Sequence, residues 1–219
     1  MERFWLKSYP QGMPADVTWD ENQSIGELFD KSCKQFAERP AFHCMGKTLT
    51  FAQIDKMSRD FAAWVQAKGL GKGTRVAIMM PNCLQYPIVL FGTLRAGYTV
   101  VNVNPLYTAR ELEHQLKDSG AEVIVILENF ANTLEEVLPR TPVKHVVVAA
   151  LGDLNGVKGA IVNFVVRNVK KMVPAFELPN AQRFNNVLKE GAGQPMKPFQ
   201  VTPEDLAFLQ YTGGTTGVS

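Results

Sequence analysis

Two stretches near the start of the chain, residues 24–36 and 50–66, space their apolar side chains three and four positions apart. This spacing predicts two amphipathic helices. Each stretch opens with Ser or Thr followed three residues later by Glu or Gln, a pattern typical of a capping box at a helix start. Between the two helices, residues 41–51 predict a β-hairpin that turns at Gly46 and Lys47.

Beyond Gly69 the pattern changes to short, continuously apolar runs separated by helical stretches. The apolar runs predict strands at residues 75–80, 98–103, 122–127 and 145–150. The stretches between them predict helices at residues 84–96, 108–120 and 129–138. Strands that are apolar on both faces and alternate with helices are typical of a parallel sheet. The sequence therefore predicts the α/β class, with layered, largely parallel sheets and helices on both faces.

The segment from residue 152 to residue 203 interrupts this alternation, because it is rich in Gly, Pro and Asn. We interpret it as an irregular excursion with one helical stretch inside it, after which the chain returns to the sheet at residues 206–211.

The helical stretch of the excursion, Val157–Val173, predicts a basic amphipathic helix. At 3.6 residues per turn one side collects Val157, Ile161, Val165, Val169 and Met172, and the other collects Arg167, Lys170 and Lys171. Lys158 falls within the apolar side and weakens the pattern. Two interpretations stay open. The helix either rests on an anionic membrane surface or packs its apolar side on the body of the protein.

Composition narrows the classes of function. Of the 219 residues, 46% are hydrophobic, enough to bury a sizeable core. The 23 Lys and Arg nearly balance the 21 Asp and Glu, so charge gives no reason to expect a nucleic-acid partner. The three cysteines lack metal-ligand spacing and form no even disulfide set, which is typical of reduced thiols in a cytoplasmic protein. We expect no secretory signal, since the first residues hold no apolar stretch.

The last predicted strand leads directly into a loop of glycines and threonines. Glycine lets the backbone approach a ligand closely, and successive N–H groups in such a turn bind anions. Threonine hydroxyls can donate to phosphate oxygens, and Thr215 or Thr216 can ligate Mg²⁺. Residues 211–219 therefore predict an ATP phosphate-binding loop, with the candidate site residues Tyr211, Thr212, Gly213, Gly214, Thr215, Thr216 and Gly217.

The spacing of this loop excludes two common phosphate-binding patterns. It lacks the Lys-Ser or Lys-Thr of the P-loop, and its glycines do not fit the dinucleotide fingerprint. Composition alone also fits an ordinary Gly–Thr loop after a strand. The three histidines, His43, His114 and His145, are too scattered along the chain for a metal site, so we expect no catalytic or metal role for them.

A resemblance carried by several segments favours the phosphate-binding interpretation. The run from Tyr211 to Gly217 resembles the signature loop of the adenylate-forming enzymes, which include acyl-CoA ligases, firefly luciferase and peptide-synthetase adenylation domains. Residues 76–82, 94–97 and 101–105 resemble other N-terminal landmarks of that family, in the same order. Residues 102–116 are similar to those of bacterial long-chain fatty-acid–CoA ligases.

The resemblance implies that residues 1–219 are the incomplete N-terminal domain of an AMP-forming ligase and end inside its phosphate-binding loop. Such enzymes use ATP and Mg²⁺ to convert a fatty acid to an acyl-adenylate, and they transfer the acyl group to coenzyme A. The expected partners are a long-chain fatty acid and, peripherally, an anionic membrane on its cytoplasmic side; a homodimer stays open. We expect no catalytic residue in this chain and no activity from it alone. The alternatives are a short-chain ligase, a carrier-loading adenylation domain or a non-catalytic truncated module.

Overall fold

A six-stranded parallel sheet organises this chain, whose computed structural model describes residues 2–17 and 23–212. The strands are β1 Pro40–Cys44, β2 Lys47–Thr50, β3 Arg75–Met79, β4 Thr99–Asn102, β5 Val123–Leu127, β6 His145–Ala149, β7 Gln182–Arg183 and β8 Phe208–Gln210. The helices are α1 Ile25–Gln35, α2 Phe51–Gln66, α3 Gln85–Arg95, α4 Ala109–Ser119, α5 Ala131–Val137, α6 Gly156–Phe164 and α7 Phe184–Ala192. A short π-helix, Val165–Val169, continues α6.

The large sheet has the strand order β7-β6-β5-β3-β4-β8, and every neighbouring pair is parallel. The first two strands stand apart as an antiparallel hairpin. The four strands predicted from apolar runs are thus parallel neighbours, as expected. Each becomes a strand because its side chains are apolar on both faces and both faces are covered by helices.

Alternate side chains of the strands enter two separate cores. Val76 and Ile78 face the core that contains α2, α3 and α7, while Ala77 and Met79 face the core of α4 and α5. All four side chains are at most 1% exposed. The prediction of a largely parallel sheet with helices on both faces is therefore confirmed.

Helix starts follow their local sequence signals. The side chains of Ser24, Thr50 and Thr108 each accept a hydrogen bond from the backbone N–H three residues on, and all three helices have the complete capping box. One such cap is worth about 1 kcal/mol. At its other end, α4 stops at Gly120, whose φ of 64° suits glycine.

The hairpin turn is displaced by one residue from its prediction. The two turn residues are Met45 and Gly46, with φ values of 48° and 76°, while Lys47 already pairs with Cys44. Two successive residues at positive φ match the twist of the flanking strands in a two-residue turn. The prediction missed this turn because methionine is rarely found at such a position.

The segment from residue 152 to residue 203 contains more regular structure than the one helix that we expected. It holds a second helix, α7, and the short strand β7, which extends the sheet beyond β6. Gly191 lets α7 approach α2 closely, because a Cβ atom there would lie 1.8 Å from the carbonyl oxygen of Asp60. Two asparagines and one glycine in α7 weaken its helical signal in the sequence.

The orientation of α6 contradicts one of its two interpretations. Of the five residues on the predicted apolar side, Val157, Ile161, Val169 and Met172 are exposed and Val165 is half-buried, so most of this side does not pack on the part of the protein that the structure describes. Within the described residues, none of the helices is both long and apolar enough to cross a membrane.

Candidate functional site

A crevice opens at the carboxyl ends of the neighbouring strands β3 and β4, where successive connections of the chain change from one face of the sheet to the other. The connection that leaves β3 runs through α3 on one face, while the connection that leaves β4 runs through α4 on the other. The two strands are neighbours, so their carboxyl ends diverge into loops on opposite faces. In open parallel sheets ligands bind at such a topological switch point.

Amide and phenol side chains line this crevice. Its polar residues are Asn82, Tyr86, Asn102, Asn104, Tyr107, Gln210 and Tyr211. None of these side chains carries a charge at neutral pH, since amides do not ionise and phenols have a pKa near 10. The crevice therefore offers neutral hydrogen-bond donors and acceptors to a ligand.

A chain of hydrogen bonds fixes the orientation of these groups. The Tyr86 hydroxyl donates to Oδ1 of Asn102 at 2.8 Å, and Nδ2 of Asn102 donates to Oε1 of Gln210 at 2.8 Å. Nε2 of Gln115, a buried residue of α4, donates to the main-chain carbonyl of Asn102 at 2.8 Å. The end of β4 is thus held through both its side chain and its backbone.

The strand β8 brings the predicted phosphate loop to this crevice. It is three residues long and pairs with β4 in the register that sets Gln210 opposite Asn102. The hydrogen bond between these two side chains therefore supports a very short strand at its carboxyl end. The chain leaves β8 at the mouth of the crevice.

Tyr211 is half-buried, and its hydroxyl donates to the carboxylate of Asp118 on α4. Burial, together with the adjacent carboxylate, raises the pKa of Tyr211 to about 12. The phenol therefore keeps its proton at physiological pH and remains a donor. Tyr211 also packs against the core of α4 and α5, so it anchors the start of the loop.

Of the remaining predicted site residues, Thr212 follows Tyr211 and is exposed. Gly213, Gly214, Thr215, Thr216 and Gly217 lie outside the described residues, so their phosphate contacts and the Mg²⁺ contact of Thr215 or Thr216 stay predictions.

The structure shows the surroundings of Cys83 and of two of the histidines. Cys83 lies just beyond β3, and burial raises the pKa of its thiol to about 11, which keeps the thiol protonated. His43 contacts Thr48 in the hairpin, and burial lowers the pKa of His145 at the start of β6. Across the part of the chain that the structure describes, no group of His, Cys, Asp and Glu could hold a metal ion.

Sequence reasoning predicted the loop but not the hydrogen-bonded side chains where it begins, which are Tyr86, Asn102, Asp118 and Gln210. A usable signal was present, because asparagine stands at or just after the end of an apolar strand at positions 82, 102 and 104. The carboxyl ends of parallel strands share one edge, so polar residues there are candidates for a common site.

Comparisons with known proteins agree with this geometry. The model of a family described as AMP-binding enzyme matches residues 29–219. A long-chain-fatty-acid–CoA ligase of Salmonella typhimurium strain LT2 is 54% identical over the whole chain, and one of Haemophilus influenzae is 52% identical. The chain spans 39% of the length of each of these relatives.

Among solved structures, a long-chain-fatty-acid–CoA ligase from Archaeoglobus fulgidus has a similar fold. Its TM-score is 0.69 at 24% sequence identity, and the match covers 95% of this chain and 38% of that one. At this identity the likeness concerns the fold alone.

Proposed function

Since this chain belongs to the family of AMP-binding enzymes, we propose that it is part of a ligase that joins a long-chain fatty acid to coenzyme A. The fatty-acid carboxylate attacks the α-phosphorus of ATP, pyrophosphate leaves, and an acyl-adenylate forms. The thiol of coenzyme A then attacks the acyl carbon and displaces AMP. In this chemistry the protein supplies position and charge stabilisation rather than a covalent nucleophile.

One observation carries the proposal: the glycine–threonine loop begins at the mouth of the crevice, at the topological switch point of the sheet. Backbone N–H groups of residues 212–217 would bind the β- and γ-phosphates. Mg²⁺, held by Thr215 or Thr216, would neutralise part of the phosphate charge. The crevice supports this division of roles, because its own lining side chains are uncharged and the nearby carboxylate of Asp118 accepts a hydrogen bond from Tyr211.

The identity to ligases of long-chain fatty acids along the whole chain supports the acyl group that we propose. A short-chain ligase or a carrier-loading adenylation domain shares the loop and is the second candidate. We also propose that the enzyme is cytoplasmic and meets its substrate at the inner surface of a membrane, since long acyl chains partition into bilayers. A homodimer stays a prediction.

The test is pyrophosphate release by the complete gene product with ATP and Mg²⁺. We expect release to depend on palmitate, with little release on acetate or on amino acids, and palmitoyl-CoA to appear once coenzyme A is added. Preference for acetate would identify a short-chain ligase, and release that depends on an amino acid would identify an adenylation domain.

A pair of threonine variants tests the loop. Thr215→Ala removes a hydroxyl that we place on phosphate or Mg²⁺, so we expect the KM for ATP to rise about tenfold or more. Thr202→Ala is the matched control, because the Thr202 side chain is exposed, contacts Asp205 and precedes β8, whereas the loop follows β8 along the chain. Equal kinetics of the two variants would remove Thr215 from the site.

A further inference from the structure

The helix α6 and the π-helix that continues it turn their apolar side chains toward solvent. Val157, Ile161, Phe164, Val169 and Met172 are between 58% and 82% exposed, and we call these five residues the α6 outer face. A surface helix of a globular protein normally turns its apolar stripe toward the core. Contiguous exposed apolar patches of this kind mark interaction sites.

Small and polar groups attach the other side of α6 to the protein. A Cβ atom on Gly159 would lie 1.8 Å from the carbonyl oxygen of Gly152, so the two backbones touch. Oδ1 of Asn163 accepts a hydrogen bond of 2.7 Å from the backbone N–H of Gly152. Further along, Nδ2 of Asn129 donates to the carbonyl of Met172 at 2.9 Å.

The strongest attachment is an ion pair between a buried carboxylate and an arginine whose side chain is 40% exposed. Glu128, 1% exposed, accepts two hydrogen bonds from the guanidinium of Arg167, at 2.9 and 2.7 Å. Arg183, at the end of β7, adds a third at 3.2 Å. Two-pronged pairing of an arginine with a carboxylate fixes direction as well as distance. Arg167 therefore turns its own side of the helix toward the protein and leaves the α6 outer face toward solvent.

Charge indicates what covers this face. Residues 154–176 contain four basic residues and no Asp or Glu. Glu128 neutralises Arg167, so the remaining charge is on three exposed lysines that are neighbours of face residues along the chain. Lys158 follows Val157, and Lys170 and Lys171 stand between Val169 and Met172, just after the π-helix. A second copy of this face would be repelled by its own three positive charges. An apolar stripe flanked by lysines is typical of a helix that lies in the interface of an anionic bilayer.

We propose that the α6 outer face docks on an anionic lipid bilayer, with its apolar side chains in the acyl boundary and its three lysines among the headgroups. This deepens the proposed function, because it rests on the membrane contact proposed there and names the surface that makes it. The docked helix would hold the protein on the membrane that carries the acyl substrate. Vesicle binding and ligase turnover are measured separately, so either proposal can fail without the other.

The experiment is co-sedimentation of the 219-residue chain with phosphatidylcholine vesicles, with and without phosphatidylglycerol. We expect binding to the anionic vesicles to exceed binding to the neutral ones by about tenfold and to weaken in high salt. A lysine triple, Lys158→Glu, Lys170→Glu and Lys171→Glu, should lose this excess. An apolar double, Ile161→Ser and Phe164→Ser, should lose at least as much.

Matched controls separate the face from general surface effects. The charge control reverses three exposed lysines on α1 and α7, with the substitutions Lys31→Glu, Lys34→Glu and Lys189→Glu. The apolar control is Leu106→Ser, which removes a side chain that is 82% exposed and lies outside the α6 outer face. Both controls should bind within about twofold of the unchanged chain, since exposed substitutions rarely alter the fold. Arg167 stays unchanged in every variant because it anchors the helix.

Several results would overturn the proposal. One is that the chain does not bind anionic vesicles. Another is that the unchanged chain, the lysine triple and the apolar double bind these vesicles equally. Binding by this chain that the complete gene product lacks would show that other parts of a longer protein cover the face. A concentration-dependent dimer that the apolar double abolishes, with no vesicle binding, would identify a second copy as the occupant.

Discussion

Arg95, at the end of α3, is the buried cation on which the packing of α1 and α2 against α3 depends. Its side chain is 3% exposed. Nε donates to the carboxylate of Asp30 on α1 at 3.0 Å, and Nη1 donates to the main-chain carbonyl of Asp55 on α2 at 3.0 Å. The guanidinium also bonds the Asp55 carboxylate and the Ser58 hydroxyl, and it stacks 4.8 Å from the centre of the Phe29 ring.

Replacing Arg95 with methionine should lower the free energy of unfolding by about 3 kcal/mol. Removing one partner of a buried ion pair costs about 3–5 kcal/mol, because the other charge is left without compensation. Here the low end applies. The Asp30 and Asp55 side chains are 37% and 29% exposed, so water can solvate them partly, and Arg59 still contacts both. Methionine keeps most of the apolar volume of the side chain.

The assay is urea unfolding followed by the fluorescence of the tryptophans, among them the buried Trp64. With a slope of about 2 kcal/mol per molar urea, a loss of about 3 kcal/mol lowers the midpoint by about 1.5 M. Arg140→Met is the matched control, because Arg140 pairs with Glu113 and its side chain is 51% exposed. An exposed pair contributes less than about 1 kcal/mol. Equal midpoints for the two variants would refute the reasoning.

Other substitutions and conditions give further expectations. Burial opposes ionisation of Asp55, yet hydrogen bonds and charges of neighbouring arginines outweigh it and hold its pKa below the usual value. The stabilising effect of ionised Asp55 is therefore complete above its unfolded-state pKa and is lost as the pH falls through its folded-state pKa. Below about pH 4 the urea midpoint of the unchanged protein should decrease, and the midpoint of the Arg95→Met variant should decrease less steeply. A midpoint equally sensitive to acid in both proteins would contradict this. Gly191→Ala should cost about 1–3 kcal/mol in urea unfolding, because its new methyl group meets backbone, whereas Gly193→Ala, with its nearest atom at 3.6 Å, should cost less than about 1 kcal/mol. A harmless Gly191 variant would show that α7 can move. At pH 8 about one Cys83 thiol in a thousand is ionised, since its pKa is raised to about 11. Peptide mass spectrometry should then find iodoacetamide on the half-buried Cys44 first, and equal labelling of both would show that Cys83 is accessible. The 219-residue polypeptide alone should release no pyrophosphate above background, as it spans 39% of the length of its curated relatives; turnover near that of the complete gene product would place the site elsewhere.

Signals that act over a few residues could be read directly from the sequence. The capping boxes at Ser24, Thr50 and Thr108 are local patterns, and all three start helices in the structure. The four apolar runs form neighbouring parallel strands, because each run by itself has apolar side chains on both faces. By contrast, α7 depends on its contact with α2, and this contact between distant segments cannot be predicted from the residues of α7 alone.

The candidate site shows the same division. Its loop has a recognisable composition, but Tyr86, Asn102 and Gln210 come from three distant parts of the chain and meet only in the folded sheet. The direction of α6 was also beyond prediction. Helical periodicity tells which side chains share a side, and the ion pair between Arg167 and Glu128 decides which side faces the protein.

The carboxylate of Glu128 ties together segments that are 39 and 55 residues away along the chain. The helix α6 adds few buried apolar side chains to this tie, because Val157, Ile161 and Phe164 are exposed. We therefore expect α6 and the π-helix that continues it to have a lower local stability than the central strands, whose amide protons should stay protected when this helix opens. Its opening must release the Glu128 carboxylate together with the hydrogen bonds at Gly152 and Met172, so these contacts break and form as one unit.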